Sequence, residues 1–494
     1  MTYVEIIWIC CSLILLSLAW IINEKIVNRY IRHLPPGPTP WPIIGNLHLV
    51  SGSSPHHVIN ELSLEHGPVM RLKLGAVEAV VFSDPDALRT AFIDDPNWLA
   101  NRFQKPSASA VSAVANITYS NGDYNRMLRT LALSGIGPTV IKKHESHVMD
   151  EINKLCQHID RFAETGEPVN PIPLLKICTL NIMMRLIFSV TFPYDGSDRE
   201  ATDVIDLIDS VFKVGGAIKP SDYLLFLKGW YARSAKGREY YQTNIAMSKY
   251  VEQLVKRRQV IYSNDRPGQD ILDTFLKEHA EGRLDMRGVC GAVGDLLVAG
   301  TDTSANTISA LIKAMANRPD QQAFMHEELR TVMGDRIVPT YKQRSDTEYT
   351  VAAIKEAMRR FVVAPFGMYH VAAYDGQFRG YTIKANTLIL QNIHGSMLTE
   401  SVWLKPLEFH PERFINNAAN VNRVKCTFGS GPRNCLGMAL AEQELYLLVA
   451  TLFRRYRFSK PPPTSSSSIE FDESMLFGVI ATPTDFDVHI IRRS

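Results

Sequence analysis

Apolar residues recur every three to four positions through the middle of the chain, from about residue 140 to residue 360. This spacing places them on one face of an α-helix and predicts long helices such as Met286 to Asn317 and Pro319 to Met333. Shorter apolar runs between turn residues, near 68–93 ("VMRLKL", "AVVFS") and near 371–390, are typical of β-strands. The pattern therefore predicts a mainly α-helical protein with small β-sheets.

The N-terminal 33 residues have a different pattern. Ile6 to Ile22 is a run of 17 residues without a charge, about 26 Å long as a helix, the short end of what a bilayer requires. Glu5 precedes it and three basic residues follow it, so the positive-inside rule places the C-terminal side in the cytosol. A cleaved signal peptide would need a basic start and a small-residue cleavage site. Residues 1–33 are therefore predicted to be an uncleaved single-pass membrane anchor, the alternative being a buried core helix.

A proline-rich segment follows the anchor. "LPPGPTPWP", residues 34–42, has five prolines and one glycine in nine positions, and proline fixes φ and removes an N–H donor. It predicts a stiff extended connector to a single large domain over residues 43–494. Near the C-terminus, "PPPTSSSS" at 461–468 is of low complexity and predicts a surface loop.

Charge and cysteine content exclude several classes of function. Lys and Arg number 53 against 51 Asp and Glu, so no bulk charge indicates a nucleic-acid partner. Seven cysteines without CxxC spacing argue against a disulfide scaffold and a zinc module. A reduced, cytosol-facing environment fits best.

One cysteine stands in an unusual setting, "FGSGPRNCLG" (428–437). Cys435 is open to four interpretations: a buried hydrophobe, a zinc ligand, a nucleophile, or the axial ligand of a metal cofactor. The helical pattern after it places the thiol at a helix N-terminus, where the dipole favours the thiolate. Arg433 offers a forked cation suited to a carboxylate. A thiolate and a carboxylate clamp with no other metal ligand nearby match a haem held by cysteine, with Arg433 on a propionate; Cys426, outside the turn, is predicted to be a buried structural thiol.

A second group of chemistry-bearing residues lies inside the longest predicted helix, at "AGTDTS" (299–304). Glycine costs about 1 kcal/mol relative to alanine in a helix interior, and hydroxyls can bond back to preceding carbonyls. The segment predicts a locally opened helix lining a cavity, in which Asp302 relays protons and Thr303 donates a hydrogen bond to a ligand. The alternative is a solvated polar stripe.

Two segments carry ion-pair signals. "KEAMR" places Glu356 and Arg359 three residues apart on one helix face, a spacing that contributes little on an exposed helix. Arg413 lies in the proline-punctuated loop "WLKPLEFHPERF". A second arginine on Glu356 would make a buried network, and we expect it to fix the loop geometry rather than to add stability.

Taken in order, these motifs resemble those of the cytochrome P450 family from the N-terminus to about residue 490. The matching residues are those of its haem-binding loop (Phe428, Arg433, Cys435, Gly437), its oxygen-activating helix (Asp302, Thr303) and its glutamate–arginine–arginine triad (Glu356, Arg359, Arg413). The apolar anchor with "PPGP" resembles the microsomal, eukaryotic branch. The implied fold is the P450-like haem domain with an N-terminal transmembrane helix.

Two positions depart from the family pattern. Asn125 stands where a tryptophan often precedes the arginine that reaches a haem propionate, which leaves Arg129 for that role. His370 stands where many members place an arginine. Arg129 and His370 are accordingly cofactor-binding residues by resemblance only.

The resemblance implies an oxidative function. The cofactor would be haem b, ligated by Cys435, with Asp302 and Thr303 governing proton delivery while one oxygen atom from O₂ enters a hydrophobic small molecule. Electrons would come from NADPH through a separate NADPH–cytochrome P450 reductase, with cytochrome b5 as a further partner, at the endoplasmic reticulum membrane. The alternatives are an oxygen-independent isomerase or dehydratase of the same family and a non-catalytic haem-binding sensor. Retention of Asp302 and Thr303 favours oxygenation.

Substrate contacts are expected, by analogy, in five variable segments with apolar and aromatic side chains. They are residues 99–122, residues 211–230, the helix face around Val298 and Ala299, residues 362–367 and residues 474–480.

Overall fold

The computed structural model describes residues 3–52, 54–109, 115–216, 218–262, 270–461 and 472–493. The predicted "PPPTSSSS" loop lies outside these ranges apart from Pro461, as do residues 110–114 and 217 of the predicted substrate segments.

Helices make up most of the described chain, as predicted. The α-helices are α1 Tyr3–Ile22, α2 Leu47–Val50, α3 Pro55–His66, α4 Pro85–Ile93, α5 Pro106–Ser109, α6 Gly122–Ile136, α7 Glu145–Thr165, α8 Pro171–Phe188, α9 Arg199–Gly216, α10 Pro220–Tyr223, α11 Lys228–Arg233, α12 Ala235–Gln259, α13 Ile271–Ala280, α14 Met286–Ala316, α15 Pro319–Met333, α16 Glu348–Arg360, α17 Ile393–Leu398, α18 Ala418–Val424 and α19 Met438–Arg455. A π-helix at Asn23–Ile31 continues α1, and short 3₁₀ turns include Pro411–Phe414, Lys425–Phe428 and Gly431–Arg433.

The strands form small sheets, again as predicted. They are β1 Val69–Leu74, β2 Val77–Phe82, β3 Asn101–Arg102, β4 His370–Val371, β5 Gly376–Phe378, β6 Tyr381–Ile383, β7 Leu388–Gln391, β8 Tyr456–Ser459, β9 Met475–Phe477, β10 Ala481–Pro483 and β11 His489–Arg492. The largest sheet has the order β1-β2-β7-β4-β3, with β2 and β7 parallel and its other pairs antiparallel. Its last rung pairs Arg102 with His370, residues 268 positions apart.

Helix α14 runs through the main apolar core. The Asp285 carboxylate caps its N-terminus by accepting from the Gly288 N–H at 2.8 Å, and every residue from Ser304 to Ala316 is buried. Helix α8 packs along it so closely that a Cβ on Gly300 would lie 2.5 Å from Met183 Sδ. The prediction of an opened helix at 299–304 is wrong: α14 stays helical there, and its glycine makes room for α8.

The N-terminal segment contacts the large sheet through its polar end. Trp20 Nε1 donates to the Pro40 carbonyl at 3.1 Å, and the Arg71 guanidinium joins Glu24 at 2.6 Å to Glu78 at 2.7 Å. Among the described residues, one helix has the length and apolar composition to cross a bilayer, α8, and most of its side chains are buried inside the protein.

Candidate functional site

The loop before α19 is a tight turn built on two glycines. Gly429 and Gly431 have φ of +75° and +69°, a conformation that side chains disfavour, and a Cβ on Gly431 would lie 2.2 Å from the Phe92 carbonyl oxygen. The Cys435 N–H donates to the Phe428 carbonyl at 2.6 Å and closes the turn. The sequence folds in this way because only glycine fits those positions, and the turn fixes Cys435 three residues before α19.

The Cys435 thiol is accessible, yet burial raises its pKa, with the Gly437 N–H and Arg129 lowering it in part. A side chain that is both accessible and surrounded by protein faces an internal cavity. The helix terminus therefore does not lower the pKa as expected, because desolvation outweighs it. Within the described ranges no group of three His, Cys, Asp or Glu side chains is placed to hold a metal ion. Cys426 is buried, as predicted.

One face of α14 is accessible in the middle of the helix. Ala299 is exposed and Thr303 partly exposed, one turn apart, and Thr303 Oγ1 donates to the Ala299 carbonyl at 2.9 Å. Thr301 and Asp302 are 0% and 1% exposed, so the polar residues do not form a solvated stripe.

Asp302 belongs to a chain of charges that leads from the core toward the surface, where Asp209 is 44% exposed. Lys176 Nζ on α8 lies 3.3 Å from Asp302 Oδ2 and also contacts Asp209 on α9. Burial, supported by Asp209, raises the pKa of Asp302 to about 8, although Lys176 lowers it. The sequence interpretation missed Lys176, for which a signal existed: it is the first of only two cations in the apolar α8 segment, and a buried charge requires a partner.

Arg433 is held by backbone carbonyls. Its two Nη atoms donate to Ser120 at 2.9 Å, Thr118 at 3.0 Å and Ile117 at 3.2 Å, while its buried Nε has no partner within the described part of the chain. Asn125 positions those carbonyls, since its amide donates to the Ile117 carbonyl at 2.7 Å and to Ser120 Oγ at 2.9 Å. Asn125, which stands where the family often has tryptophan, thus supports the loop that orients Arg433.

Arg102, which the sequence interpretation missed, lies beside Arg433 and His370. It donates to the Arg433 carbonyl at 3.2 Å and contacts His370 Nε2, and its own buried Nε lacks a described partner. His370 Nδ1 lies 2.6 Å from the Leu99 carbonyl. Burial, followed by Arg102, keeps the pKa of His370 well below its usual value, so the neutral ring donates to Leu99 and accepts from Arg102. No local spacing could have revealed Arg102, because its partners are distant in sequence.

Three guanidinium groups therefore lie close together. Burial, with the repulsion of Arg433 and Arg129, lowers the pKa of Arg102, and burial with the repulsion of Arg129 lowers that of Arg433 to about 10. Arg129 Nη2 donates to the Asn434 carbonyl at 3.0 Å, next to Cys435. Clustered cations with unfilled donors fit an anionic ligand with more than one carboxylate.

The arginine–glutamate triad is assembled away from this cavity. Arg359 Nε and Nη2 each lie 2.8 Å from the Glu356 carboxylate, and Arg413 Nε lies 3.1 Å from it. Arg359 also donates to the carbonyls of Met397 at 2.7 Å and Pro406 at 2.8 Å. The structure brings the three residues together and ties them to the loop that carries Arg413.

A buried carboxyl group links the cysteine helix to α14. Ser304 Oγ donates to Glu444 Oε2 at 2.8 Å, and Glu444 is 2% exposed. Burial raises the pKa of Glu444 to about 8, so this group is neutral near pH 7. In the sequence, the one signal for Glu444 is an acidic residue within the mostly apolar helix that follows Cys435.

The predicted substrate residues separate into different environments. Phe366 is 5% exposed and packs in the core under the large sheet. Phe226 and Leu476 are 72% and 61% exposed. Of the residues named for this role, Ala299 is the one whose surroundings indicate a cavity.

These residues fit a haem. The site has an accessible Cys435 thiol, a cluster of guanidinium groups of which Arg129 reaches the neighbouring Asn434, and an accessible stretch of α14 at Ala299 and Thr303. A cysteine thiolate and cations for two propionates are the groups that would hold that cofactor.

Comparisons with known proteins show which family the chain resembles. A family model described as Cytochrome P450 matches residues 35–488. "Probable cytochrome P450 513A3" of Dictyostelium discoideum is 31% identical over 475 residues, which is 93% of this chain and 94% of the relative. "Probable cytochrome P450 513C1" of the same organism is 30% identical over 443 residues, 87% of this chain and 88% of the relative. Similarity thus extends over nearly the whole length of both.

Proposed function

The chain belongs to the cytochrome P450 family and is a P450 monooxygenase, and from that premise we propose that Cys435 ligates haem b in an enzyme that oxidises hydrophobic small molecules. The haem supplies the oxygen chemistry when bound. The tasks of the protein are to hold it, to position the substrate, to exclude water and to move protons.

The arginine cluster holds the cofactor in this proposal. Arg102, Arg129 and Arg433 would hold the propionates through guanidinium N–H donors that the protein leaves open, and His370 orients Arg102 through its neutral ring. Support comes from the unfilled, buried Nε atoms of Arg102 and Arg433, which would otherwise lose hydrogen-bonding energy.

Asp302 and Thr303 deliver protons in this proposal. Thr303 borders the cavity and can present its hydroxyl to a group bound there. Asp302 can gain or release a proton near neutral pH because its pKa is about 8, and Lys176 and Asp209 connect it toward α9. A proton-carrying carboxyl beside a hydroxyl suits a relay.

The wider organisation follows the family and the N-terminal pattern. We infer a membrane anchor in residues 1–33, a connector at 34–42 and a haem domain at 43–494, at the endoplasmic reticulum membrane with the domain in the cytosol. Electrons would arrive from NADPH through NADPH–cytochrome P450 reductase, with cytochrome b5 as a further donor. Exposed apolar residues on α1, such as Leu15 and Leu16, support the anchor.

The observation that carries the proposal is the accessible Cys435 thiol inside surrounding protein. The test is to load the full chain with haem in membranes and to titrate steroids, fatty acids, terpenoids and phenylpropanoids while recording the Soret band. A saturable shift identifies a ligand class, and that compound is then incubated with NADPH and reductase. Product that requires both supports the monooxygenase; conversion without reductase would indicate an isomerase or dehydratase, and ligand binding without conversion a sensor.

A further inference from the structure

Two lysines meet where the segment after β3 contacts the segment around α10. Lys105 Nζ lies 4.2 Å from the centroid of the Tyr369 ring, and Lys219 Nζ lies 3.8 Å from that of Tyr240. Burial lowers the pKa of both lysines, and the charge of Lys105 helps to lower the pKa of Lys219 to about 7. Both ammonium groups therefore share one electrostatic environment.

One lysine of this pair lies in the same segment as Arg102. The β3–β4 pairing of Arg102 with His370 continues one residue further, where the Phe103 N–H donates to the Tyr369 carbonyl at 3.2 Å. Lys105 is two residues beyond Phe103, a step of about 7 Å along an extended chain. Lys105 thus follows Arg102 by three residues in the same segment.

Asp222 acts on both lysines, and its carboxylate is already engaged. Asp222 Oδ1 accepts from the Ser107 N–H at 2.8 Å and Asp222 Oδ2 from Ser107 Oγ at 2.9 Å, and it offsets the lowered pKa of each lysine only in part. Asp222 therefore joins the two segments structurally. Two cations share one carboxylate, which leaves an excess of positive charge.

The lysine donors are open. Neither Nζ has a hydrogen bond or an ion pair to any residue in the described part of the chain, only the face of a tyrosine ring. Lys105 is partly exposed although burial lowers its pKa, so its ammonium group is accessible while protein surrounds most of it. Cation–π contact places an ammonium group but leaves its N–H donors free for an oxyanion.

We propose that Lys105 and Lys219 bind an oxyanion at one end of an otherwise apolar substrate, so that the enzyme acts on lipophilic acids. The proposal rests on the monooxygenase function and narrows its substrate class. The tyrosine walls contact the apolar part of the molecule near the anion, and the ammonium groups provide charge-assisted hydrogen bonds.

The test compares three probes of one chain length: decanoate, decyl phosphate and decan-1-ol. Binding to the full-length chain in lipid nanodiscs is measured by calorimetry, with protein-free nanodiscs subtracted. We expect one of the two anions to bind at least tenfold more tightly than the alcohol. A preference for decanoate identifies carboxylic acids as the class, and a preference for decyl phosphate identifies phosphate esters. Equal affinity for all three probes would overturn the proposal.

Variants assign the effect to the lysines. Lys105→Met and Lys219→Met should each weaken anion binding about tenfold, while the affinity for decan-1-ol, which reports an intact pocket, stays within twofold. The exposed Lys142→Met should leave every affinity unchanged. An anion preference that survives in the double variant would refute the assignment.

The two proposals fail separately. Haem content and reductase-dependent NADPH turnover are measured on the same preparation. Normal haem and turnover without anion preference would refute only the lysine site. An anion preference in a protein that binds no haem would refute the haem function and leave the site.

Discussion

Replacing Glu356 by glutamine should destabilise the protein far more than the same change in an exposed glutamate–arginine pair with the same helical spacing. The carboxylate is 0% exposed and is shared by Arg359, also 0% exposed, and Arg413. It accepts in addition from the His410 N–H at 2.9 Å. Glu356→Gln leaves two guanidinium groups without a counter-charge, one of them fully buried.

The magnitude follows from the burial of the network. Removing one partner of a buried ion pair costs about 3–5 kcal/mol, because the remaining charge is desolvated and unpaired. Unfolding entropy is about 2.1 cal/mol/K per residue, so for a chain of this length the midpoint falls by about 3–5 °C. The pair Glu327 and Arg330 has the same types and spacing but is 58% and 56% exposed, so Glu327→Gln should shift the midpoint far less than Glu356→Gln.

The assay is thermal unfolding of the full chain, followed by circular dichroism at one heating rate. Wild type, Glu356→Gln and Glu327→Gln are compared at the same haem loading. Arg413→Gln should give an intermediate loss, since Arg359 still neutralises the carboxylate. Equal shifts for Glu356→Gln and Glu327→Gln would refute the reasoning, because burial would then make no difference.

Three further predictions concern the helix contacts of α14 and the arginine cluster. Gly300→Ala should lower stability by about 1–3 kcal/mol through overpacking, and the Gly300→Ala/Met183→Ala pair should show favourable coupling of about 1 kcal/mol or more in a double-mutant cycle of unfolding free energies; additive losses would contradict the close contact. Glu444 has a pKa raised to about 8, so the unfolded chain releases a proton that the folded chain retains between about pH 5 and pH 8, and wild type loses stability as pH rises through that window. The melting temperature of Glu444→Gln minus that of wild type should therefore increase from pH 5 to pH 8 and stay constant above pH 8. A difference that is constant over the whole range would exclude a neutral carboxyl. Arg102→Leu should increase haem loss to apomyoglobin about tenfold, while Arg126→Leu, 73% exposed, should leave that rate unchanged; equal rates in both variants would remove Arg102 from the site.

The parts of the site that were predictable are those encoded locally. Glycines on either side of Arg433 indicated the Cys435 turn, and the spacing of Glu356 and Arg359 placed them on one helix face. The hydroxyls of "AGTDTS" do bond back to carbonyls as expected, for Thr301 to Leu297 at 2.8 Å. The helix is nevertheless not opened at this segment. The sequence alone does not show that Met183 of α8 occupies the space beside Gly300.

The parts that could not be predicted depend on long-range contacts. Arg102 acquires its role from His370 and Arg433, which the sheet and the cysteine loop bring to it. The direction of the Cys435 pKa also required the fold, because burial opposes the helix terminus. A local sequence motif identifies the candidate side chain. Its protonation state depends on the residues that the rest of the chain packs around it.

The most direct test of the haem-thiolate function is the absorption spectrum of the carbon monoxide complex of the reduced, haem-loaded chain. Cys435→Ala and Cys426→Ala form a matched pair, since both remove a thiol and the second is buried outside the cavity. We expect wild type and Cys426→Ala to show the thiolate-ligated spectrum and Cys435→Ala to lose it. A thiolate spectrum in Cys435→Ala, or its loss in Cys426→Ala alone, would contradict the assignment of Cys435 as the iron ligand.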